Sequence, residues 1–446
     1  MSGNDKAKED VVRKVEDNNV KFIRLWFTDI LGFLKSFAIT TDELEDALES
    51  GKGFDGSSIQ GFARIDESDM IAMPDPNTFT ILPWRPQDKN TVGRMFCDIL
   101  RPEGEHYECD PRWVLKRNLQ RAADMGYTYW IGPELEYFYF ASAKGTPEPL
   151  DEGGYFDLTP LDVASDLRRE TVLALQAMGI PVEYSHHEVA PSQHEIDLRF
   201  SDALTMADNA MTYRLVVKEI ALLHGVYATF MPKPVYGQNG NGMHVHQSLF
   251  RGDKNAFFDP SDKSHISKVA KHFIAGLLEH VSEITIVLNQ WVNSYKRLVP
   301  GYEAPVYKSW AVRNRSDLVR VPEYKPGKER STRIELRSPD PACNPYLAFA
   351  VMLAAGLDGI ENEYELRPPV ERNVYEMTEQ ERDDLGIGAI PDNLYAAVKA
   401  AENSALLEKA LGEEMFSKLL ENKHIEWERY SRQVTSFELQ EYLGIL

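Results

Sequence analysis

Residues 239–250 read NGNGMHVHQSLF, a glycine-broken polar run that opens into alternation. Successive side chains of a strand point to opposite faces, so His244 and His246 share one face and Met243, Val245 and Gln247 the other. A His-x-His pair alone is as good a solvated strand face as a metal site. The neighbouring strand-like runs have to decide.

Two of them obey the same alternation. GPELEYF at 132–138 puts Glu134 and Glu136 on one face; STRIELRS at 331–338 puts Arg333, Glu335 and Arg337 on one face and Ile334 and Leu336 on the other. Trp130, Ile131, Tyr137 and Phe138 surround the first pair, which implies burial, and buried carboxylates need partners. HHEVAPSQHEID at 186–197 adds Glu188 and Glu195 on either side of a Pro-containing loop. Its His186, His187 and His194 read as surface polar residues or as groups outside the ligand set. Five glutamates with one or two histidines suit Mg²⁺ or Mn²⁺ rather than zinc.

The bulk numbers narrow the class. A chain of 446 residues with 43% hydrophobic residues predicts two domains of unequal size and a substantial core. A formal charge of −21 argues against nucleic acid or an anionic membrane as the main partner. The opening MSGNDKAKED is too polar for a signal peptide, and the apolar run at 346–357 is too short to span a bilayer. Cys97, Cys109 and Cys343 have no zinc-like spacing and point to a reducing, cytoplasmic location.

Along the chain, VKFIRLWFTDILG followed by FLKSFAI predicts a hairpin around Asp29–Gly32. Thr40 and Glu43 form a capping-box pattern for a short helix ending near Gly51. A Pro-, Gly- and charge-rich boundary follows at 101–111, where Asp110-Pro111 starts a helix that stops at Gly126. Helical patterns occupy 161–178, 202–224, 266–288 and 345–360, and the last 80 residues are mostly helical. The fold class is α+β: a small β-rich N-terminal domain, then a larger one with an antiparallel sheet and packed helices. Arginines supply the positive charge, with Arg297 in NSYKRLVPGYEAP (293–305) and Arg313, Arg315 and Arg320 in AVRNRSDLVRVP (311–322). A carboxylate-held metal opposed by guanidinium forks is a plan for phosphoryl transfer. No Walker A run is present, and Gly237, Gly240 and Gly242 fit no dinucleotide fingerprint. The residues themselves therefore give a two-domain, metal-dependent, ATP-using enzyme whose acceptor is open.

Five motifs in order, FDGSS (54–58), GPELEYF (132–138), NGNGMHVHQSL (239–249), NSYKRLVPGYEAP (293–305) and RIELRSPDPACNPYLA (333–348), closely resemble those of the type I glutamine synthetases of bacteria and archaea. The resemblance runs from about residue 20 to the C-terminus. It implies a β-grasp domain over 16–103, a catalytic domain over 109–446, and a homododecamer of two stacked hexameric rings with active sites between subunits. It implies two or more Mg²⁺ or Mn²⁺ ions per subunit, one held by Glu136, Glu188 and Glu195 and another by Glu134, His244 and Glu335. For glutamate it implies Asn239, Gly240, Arg297, Glu303 and Arg337. For ATP it implies Glu183, Phe200, His246, Ser248, Arg315, Arg320 and Arg333, with Arg315 and Arg320 also stabilising the transferred phosphoryl group. Asp55 from the adjacent subunit, Tyr155, Glu188 and Glu303 match the pocket that binds and deprotonates ammonium. The implied reaction joins ammonia to L-glutamate through γ-glutamyl phosphate.

Departures from the family pattern matter too. NVYEMT at 373–378 keeps Tyr375 but not the surroundings of the adenylylated members, so the unmodified alpha-type subclass fits better. Arg64 in GFARIDESD matches a glutamine-sensing arginine, or it is a surface ion pair with Asp66 or Glu67. Arg24, Arg85, Arg168 and Arg169 match a basic set that in some members binds 2-oxoglutarate between subunits, or they form ordinary interface ion pairs. Rival readings are a γ-glutamyl ligase for a polyamine or ethanolamine, and a non-catalytic structural or regulatory relative. Retention of Asp55, Tyr155 and Glu303 opposes the first, and the six intact metal-ligand positions oppose the second.

Overall fold

The computed structural model describes residues 3–61, 69–84, 90–301 and 304–446. Arg64, Arg85 and Glu303 lie outside them. After helix α1 (Gly3–Asp17), the small domain is built on strands β1 (Val20–Thr28), β2 (Leu34–Thr40), β3 (Lys52–Asp55), β4 (Asp69–Pro74), β5 (Thr80–Ile81) and β6 (Thr91–Leu100), with α2 (Leu44–Ser50) between β2 and β3. Its sheet order is β2-β1-β6-β4-β3, with β5 beside β6 and β1 parallel to β6. The hairpin around Asp29–Gly32 forms as expected. The Thr40–Glu43 cap does not. Thr40 stays in β2 opposite Phe22, and Glu43 accepts a hydrogen bond from Lys52 Nζ at 2.6 Å instead of closing a box.

The larger domain opens with α3 (Pro111–Asp124), capped by the Asp110 carboxylate, which accepts from the Arg112 N–H at 3.0 Å. Its sheet comprises β7 (Thr128–Phe140), β8 (Val182–His187), β9 (Gln193–Leu198), β10 (Ser201–Asp202), β11 (Tyr227–Thr229), β12 (Met243–Arg251), β13 (Lys254–Asn255), β14 (Trp310–Val312), β15 (Val319–Val321) and β16 (Ile334–Leu336). The main order is β14-β15-β16-β12-β7-β9-β8, antiparallel from β15 to β8. Helices α4 (Ser165–Ala177), α5 (Ala203–Leu223), α6 (Lys268–Leu288), α7 (Ser294–Arg297) and α8 (Pro345–Glu361) surround it, and α9 (Glu379–Asp384) to α13 (Ser436–Tyr442) complete the chain through α10 (Leu394–Ala401), α11 (Ala405–Leu411) and α12 (Glu413–Ser431). Helix α8 is apolar nearly all round and buried accordingly. It meets α6 backbone to backbone: a Cβ on Gly359 would lie 2.1 Å from the His272 carbonyl oxygen. No helix among the described residues is long and apolar enough to cross a membrane.

Two buried polar joints fix the domains to each other. At the tip of the β1–β2 hairpin, the Asn344 amide donates to the carbonyls of Asp29 and Ile30 at 3.2 Å, and Arg214 donates to that of Gly32 at 2.7 Å. Arg112 on α3 donates to Asp75 at 2.8 Å and Asp98 at 2.7 Å in the small domain, and to Asp208 at 3.0 Å in the large one. A guanidinium this buried is stable only with such carboxylate partners. Past α12 the packing changes: Phe437, Leu443, Ile445 and Leu446 are exposed, an apolar surface with nothing over it among the described residues.

Candidate active site

Register across the large sheet brings the distant motifs together. His244 lies opposite Glu134, and His246 opposite both Gly132 and Glu335. Glu335 also faces Arg320, Glu134 faces Asp197, and Glu136 faces Glu195, which in turn faces His186. The three alternating runs thus present their polar residues on one sheet face, edge to edge.

Two acidic groups result. In the first, Glu134 lies 2.7 Å from His246 Nε2 and 3.3 Å from His244 Nδ1, and His244 Nδ1 is 4.0 Å from Glu335. Single ligand atoms of Glu134, His246 and Glu335 all lie within 4.8 Å of one another. Arg337 donates to one oxygen of the fully buried Glu335 at 2.6 Å, and Arg320 donates to the other. Burial opposes ionisation of Glu335, but its neighbours His246 and Arg337 outweigh it and hold the carboxyl at about 2. Burial, then Arg337, pushes His244 down to about 4, so its imidazole is neutral and able to ligate.

In the second group, ligand atoms of His186, Glu188 and Glu195 lie within 4.8 Å of one another. Glu136 adjoins it, accepting from the Gly242 N–H at 2.7 Å and from Gln193 at 3.1 Å. Burial pushes Glu136 to about 7 and Asp197 to about 6, and lifts Glu195 well above the carboxylate range, with neighbouring carboxylates adding to each rise. So many carboxyls in one buried place repel one another unless a cation neutralises them. The donor set of glutamates with a neutral histidine fits two hard divalent ions.

A small cavity of about 20 Å³ beside the second group is lined by Glu136, Glu188, His244, Asn239, Gly240, Arg297 and Arg337. It joins residues expected for metal with those expected for glutamate. Close approach makes Gly240 obligatory: a Cβ there would lie 2.3 Å from the Pro232 carbonyl oxygen and 3.1 Å from Arg297 Cγ. Arg297 already gives one terminal nitrogen to the Ser338 carbonyl at 2.8 Å and the other to that of Arg337 at 3.2 Å. Arg337 Nε, by contrast, is buried with no partner among the described residues.

On the other side of Glu134 a cavity of about 190 Å³ is lined by Glu183, Phe200, His246, Ser248 and Arg333, five of the residues expected at ATP. Gly132 floors it, leaving Phe200 and His246 as the walls nearest a missing Cβ, at 3.4 and 3.8 Å. Arg333 Nε donates to His246 Nδ1 at 3.1 Å, which turns His246 Nε2–H toward Glu134. Trp130, Tyr184 and Asp197 also line it, beyond the residues expected at ATP. Asp197 carried a signal, since Glu195-Ile196-Asp197 alternates like the other runs.

The remaining expected residues are scattered. Tyr155 packs its ring 5.4 Å from that of His186 and pairs with Arg315. Asp55 is exposed on the edge strand β3, its carboxylate accepting from the Ser57 N–H at 2.9 Å, apart from both acidic groups of its own chain. None of His186, His187 and His194 is at the surface; His186 stands 3.4 Å from Glu188 and 3.7 Å from Glu195, beside the second acidic group. Arg168 is buried within its own chain, paired with Asp162 at 2.6 Å and His194 at 2.8 Å, while Arg169 pairs with Asp166. The Tyr375 hydroxyl donates to the Ala304 carbonyl at 2.8 Å.

Comparison with known proteins agrees with this geometry. The family model "Glutamine synthetase, beta-Grasp domain" matches residues 19–102, and "Glutamine synthetase, catalytic domain" matches 108–442. The glutamine synthetase of Mycolicibacterium smegmatis is 55% identical over 445 residues, covering 99% of this chain and 100% of that one. Among solved structures, the GmaS/ADP complex superposes with a TM-score of 0.88 at 32% identity, covering 97% of this chain and 99% of that one. The glutamine synthetase of Plasmodium falciparum superposes with a TM-score of 0.87 at 27% identity, covering 99% of each chain. With both domains matched and more than half the residues shared with a full-length relative, the chain belongs to the glutamine synthetase family.

Proposed function

We propose that this protein is a glutamine synthetase, joining ammonia to L-glutamate at the expense of ATP. A γ-carboxylate oxygen of glutamate attacks the terminal phosphorus and ADP leaves. Ammonium gives up a proton to Asp55, the resulting ammonia attacks the acyl carbon, and phosphate departs with the oxygen that glutamate supplied, taking up the second proton that leaves the new amide nitrogen. The carrying observation is the register that sets Glu134, Glu335 and both histidines on one face, between a cavity with two arginines and a larger one walled by an aromatic ring.

Glu136, Glu188 and Glu195 would hold one Mg²⁺ or Mn²⁺ and Glu134, His244 and Glu335 another; bound, such ions would neutralise phosphate charge. Arg337, with its uncommitted Nε, grips the glutamate carboxylate beside Asn239, Gly240 and Arg297. Phe200, Glu183 and Ser248 receive the nucleoside, and His246, Arg333, Arg315 and Arg320 the phosphates. A relative of the same fold solved as an ADP complex supports nucleotide binding by this fold. Asp55, Tyr155, Glu188 and Glu303 form the ammonium pocket.

Asp55 on an exposed edge strand, with the metal groups in the other domain, supports an active site completed by a neighbouring subunit in two stacked hexameric rings. The uncovered apolar C-terminal segment supports assembly as well. The division into 16–103 and 109–446, a cytoplasmic location and the unadenylylated subclass belong to the same reading. Measuring ATP consumption with glutamate plus ammonium, putrescine or ethanolamine tests it. Ammonium alone should support turnover; turnover only with a larger amine would replace glutamine synthetase by another γ-glutamyl ligase.

A further inference from the structure

Asp151 has no part in the chemistry above, yet it organises the backbone beneath it. One carboxylate oxygen accepts from the Ser192 N–H at 2.8 Å and the Gly153 N–H at 3.3 Å, and faces His187 Nε2 at 3.0 Å. His187 Nδ1 is 2.6 Å from the carbonyl oxygen of Glu188. A carbonyl only accepts, so Nδ1 carries a proton and donates. The loop that leads to Tyr155 is pressed onto the same imidazole: a Cβ on Gly153 would lie 2.8 Å from His187 Nε2, and the Phe156 N–H donates to the His187 carbonyl at 3.1 Å. Through His187, then, Asp151 sets the spacing between Tyr155 and Glu188.

The other carboxylate oxygen looks elsewhere. It is buried with no partner among the described residues, and so is His194 Nε2, while atoms of Asp151, His187 and His194 lie within 4.8 Å of one another. This triad is not a metal site. His194 Nδ1 is 2.8 Å from an Arg168 terminal nitrogen, and a guanidinium has no acceptor. Nδ1 must accept, so Nε2 bears the proton and has no lone pair to offer. The two unpartnered atoms are a donor and an acceptor, a pair suited to one bridging water.

We propose that Asp151 is a positioning residue for the amine half of the active site, acting through His187 on Glu188 and Tyr155. The proposal rests on the ammonia-using function above. Asp151→Asn retains an oxygen for the Ser192 and Gly153 amides and loses the charge facing His187; His187→Gln removes the imidazole from the other side. Both are measured in the full assembled enzyme. Each raises the ammonium KM by about tenfold, the effect of one hydrogen bond's worth of positioning, with the glutamate and ATP KM values within about twofold. The double variant does no worse than the singles, because both break one link. An unchanged ammonium KM, equal shifts for all three substrates, multiplying effects, or loss of assembly in both single variants would each overturn the role of Asp151. Wild-type enzyme that makes no glutamine from ammonium would instead overturn the functional reading itself.

Discussion

His246 Nε2 lies 2.7 Å from Glu134 Oε1, closer than His244, whose Nδ1 is 3.3 Å from the same carboxylate. The two histidines share a strand face but not an environment. His246 is oriented by Arg333 at its Nδ1 and opens on the larger cavity, whereas His244 lines the small cavity with Arg297 and Arg337. One strand therefore serves both sides of Glu134, and removing either imidazole should have different consequences.

Glu335→Gln should cost at least a hundredfold in turnover, on the scale of about 10²–10³ known for deleting an electrostatic stabiliser. Glutamine is preferable to alanine here, because Glu335 is fully buried and answers both Arg320 and Arg337. Alanine would leave two guanidiniums unpaired and confuse lost chemistry with lost stability. Thermal melting and steady-state turnover are measured on the same sample. A Gln variant with near-normal Tm and more than about a tenth of wild-type turnover, by the same yardstick, would remove Glu335 from the ligand set.

Arg337→Ala and Arg297→Ala should both weaken glutamate binding. Arg337 has an uncommitted buried donor, so its loss should raise the glutamate KM and leave that for ATP nearly unchanged, and it should lower Tm because the buried Glu335 loses a partner. Arg297 is fixed to two backbone carbonyls, so its loss should also lower Tm by several degrees, as expected for about 1–3 kcal/mol of orphaned buried acceptors. A glutamate KM unaffected in both would contradict their shared place in the glutamate cavity.

Much of this site is legible in the sequence because its logic is local. Alternation alone puts Glu134 with Glu136, His244 with His246, and Arg333 with Glu335 and Arg337. Which glutamate meets which histidine is not local, since it depends on pairing between strands separated by a hundred residues, as in His244 opposite Glu134. Burial is not local either. His186 and Asp197 share the alternation of Glu188 and Glu195, but only the sheet turns that alternation into a common acidic cluster. Arg168 looks like any surface arginine until α4 brings it against Asp162 and His194. The Thr40–Glu43 pattern failed for a similar reason: Lys52, on the next strand, competes for the glutamate.

A pH dependence of stability follows from His280 on α6. Its ring lies 3.2 Å from Glu283 and 3.0 Å from Asp358. Burial works against protonation, but the two carboxylates outweigh it and raise the imidazole above its ordinary value near 6.5. A raised folded-state value means the unfolded chain releases the proton first as pH rises. The stabilisation is complete below the unfolded value and disappears as pH climbs through the folded one. His280→Gln should thus lower Tm more at about pH 6 than at about pH 9, either side of the histidine range. A Tm difference that is flat across that range, or larger at the alkaline end, would contradict the pairing.

Sharing of the site between subunits predicts complementation. Asp55→Ala keeps both acidic groups, and Glu335→Gln keeps Asp55, so each assembly alone should be nearly inactive. Refolded together in equal amounts, they should regain activity at interfaces joining an intact Asp55 to an intact Glu335. Co-assembling the double variant with wild type controls for dilution. Mixed oligomers no more active than their parents would put Asp55 in its own subunit's chemistry or outside it.

The most direct measurement follows one oxygen atom. Glutamate labelled with ¹⁸O in its γ-carboxylate is turned over with ATP and ammonium, and the released phosphate is examined by mass spectrometry. If that carboxylate attacks the terminal phosphorus and ammonia then displaces phosphate from the acyl carbon, each phosphate carries one labelled oxygen. The same label should disappear with the activity in Glu335→Gln. Phosphate free of ¹⁸O, released while glutamine accumulates, would mean that no γ-glutamyl phosphate forms, and would contradict the account at its centre.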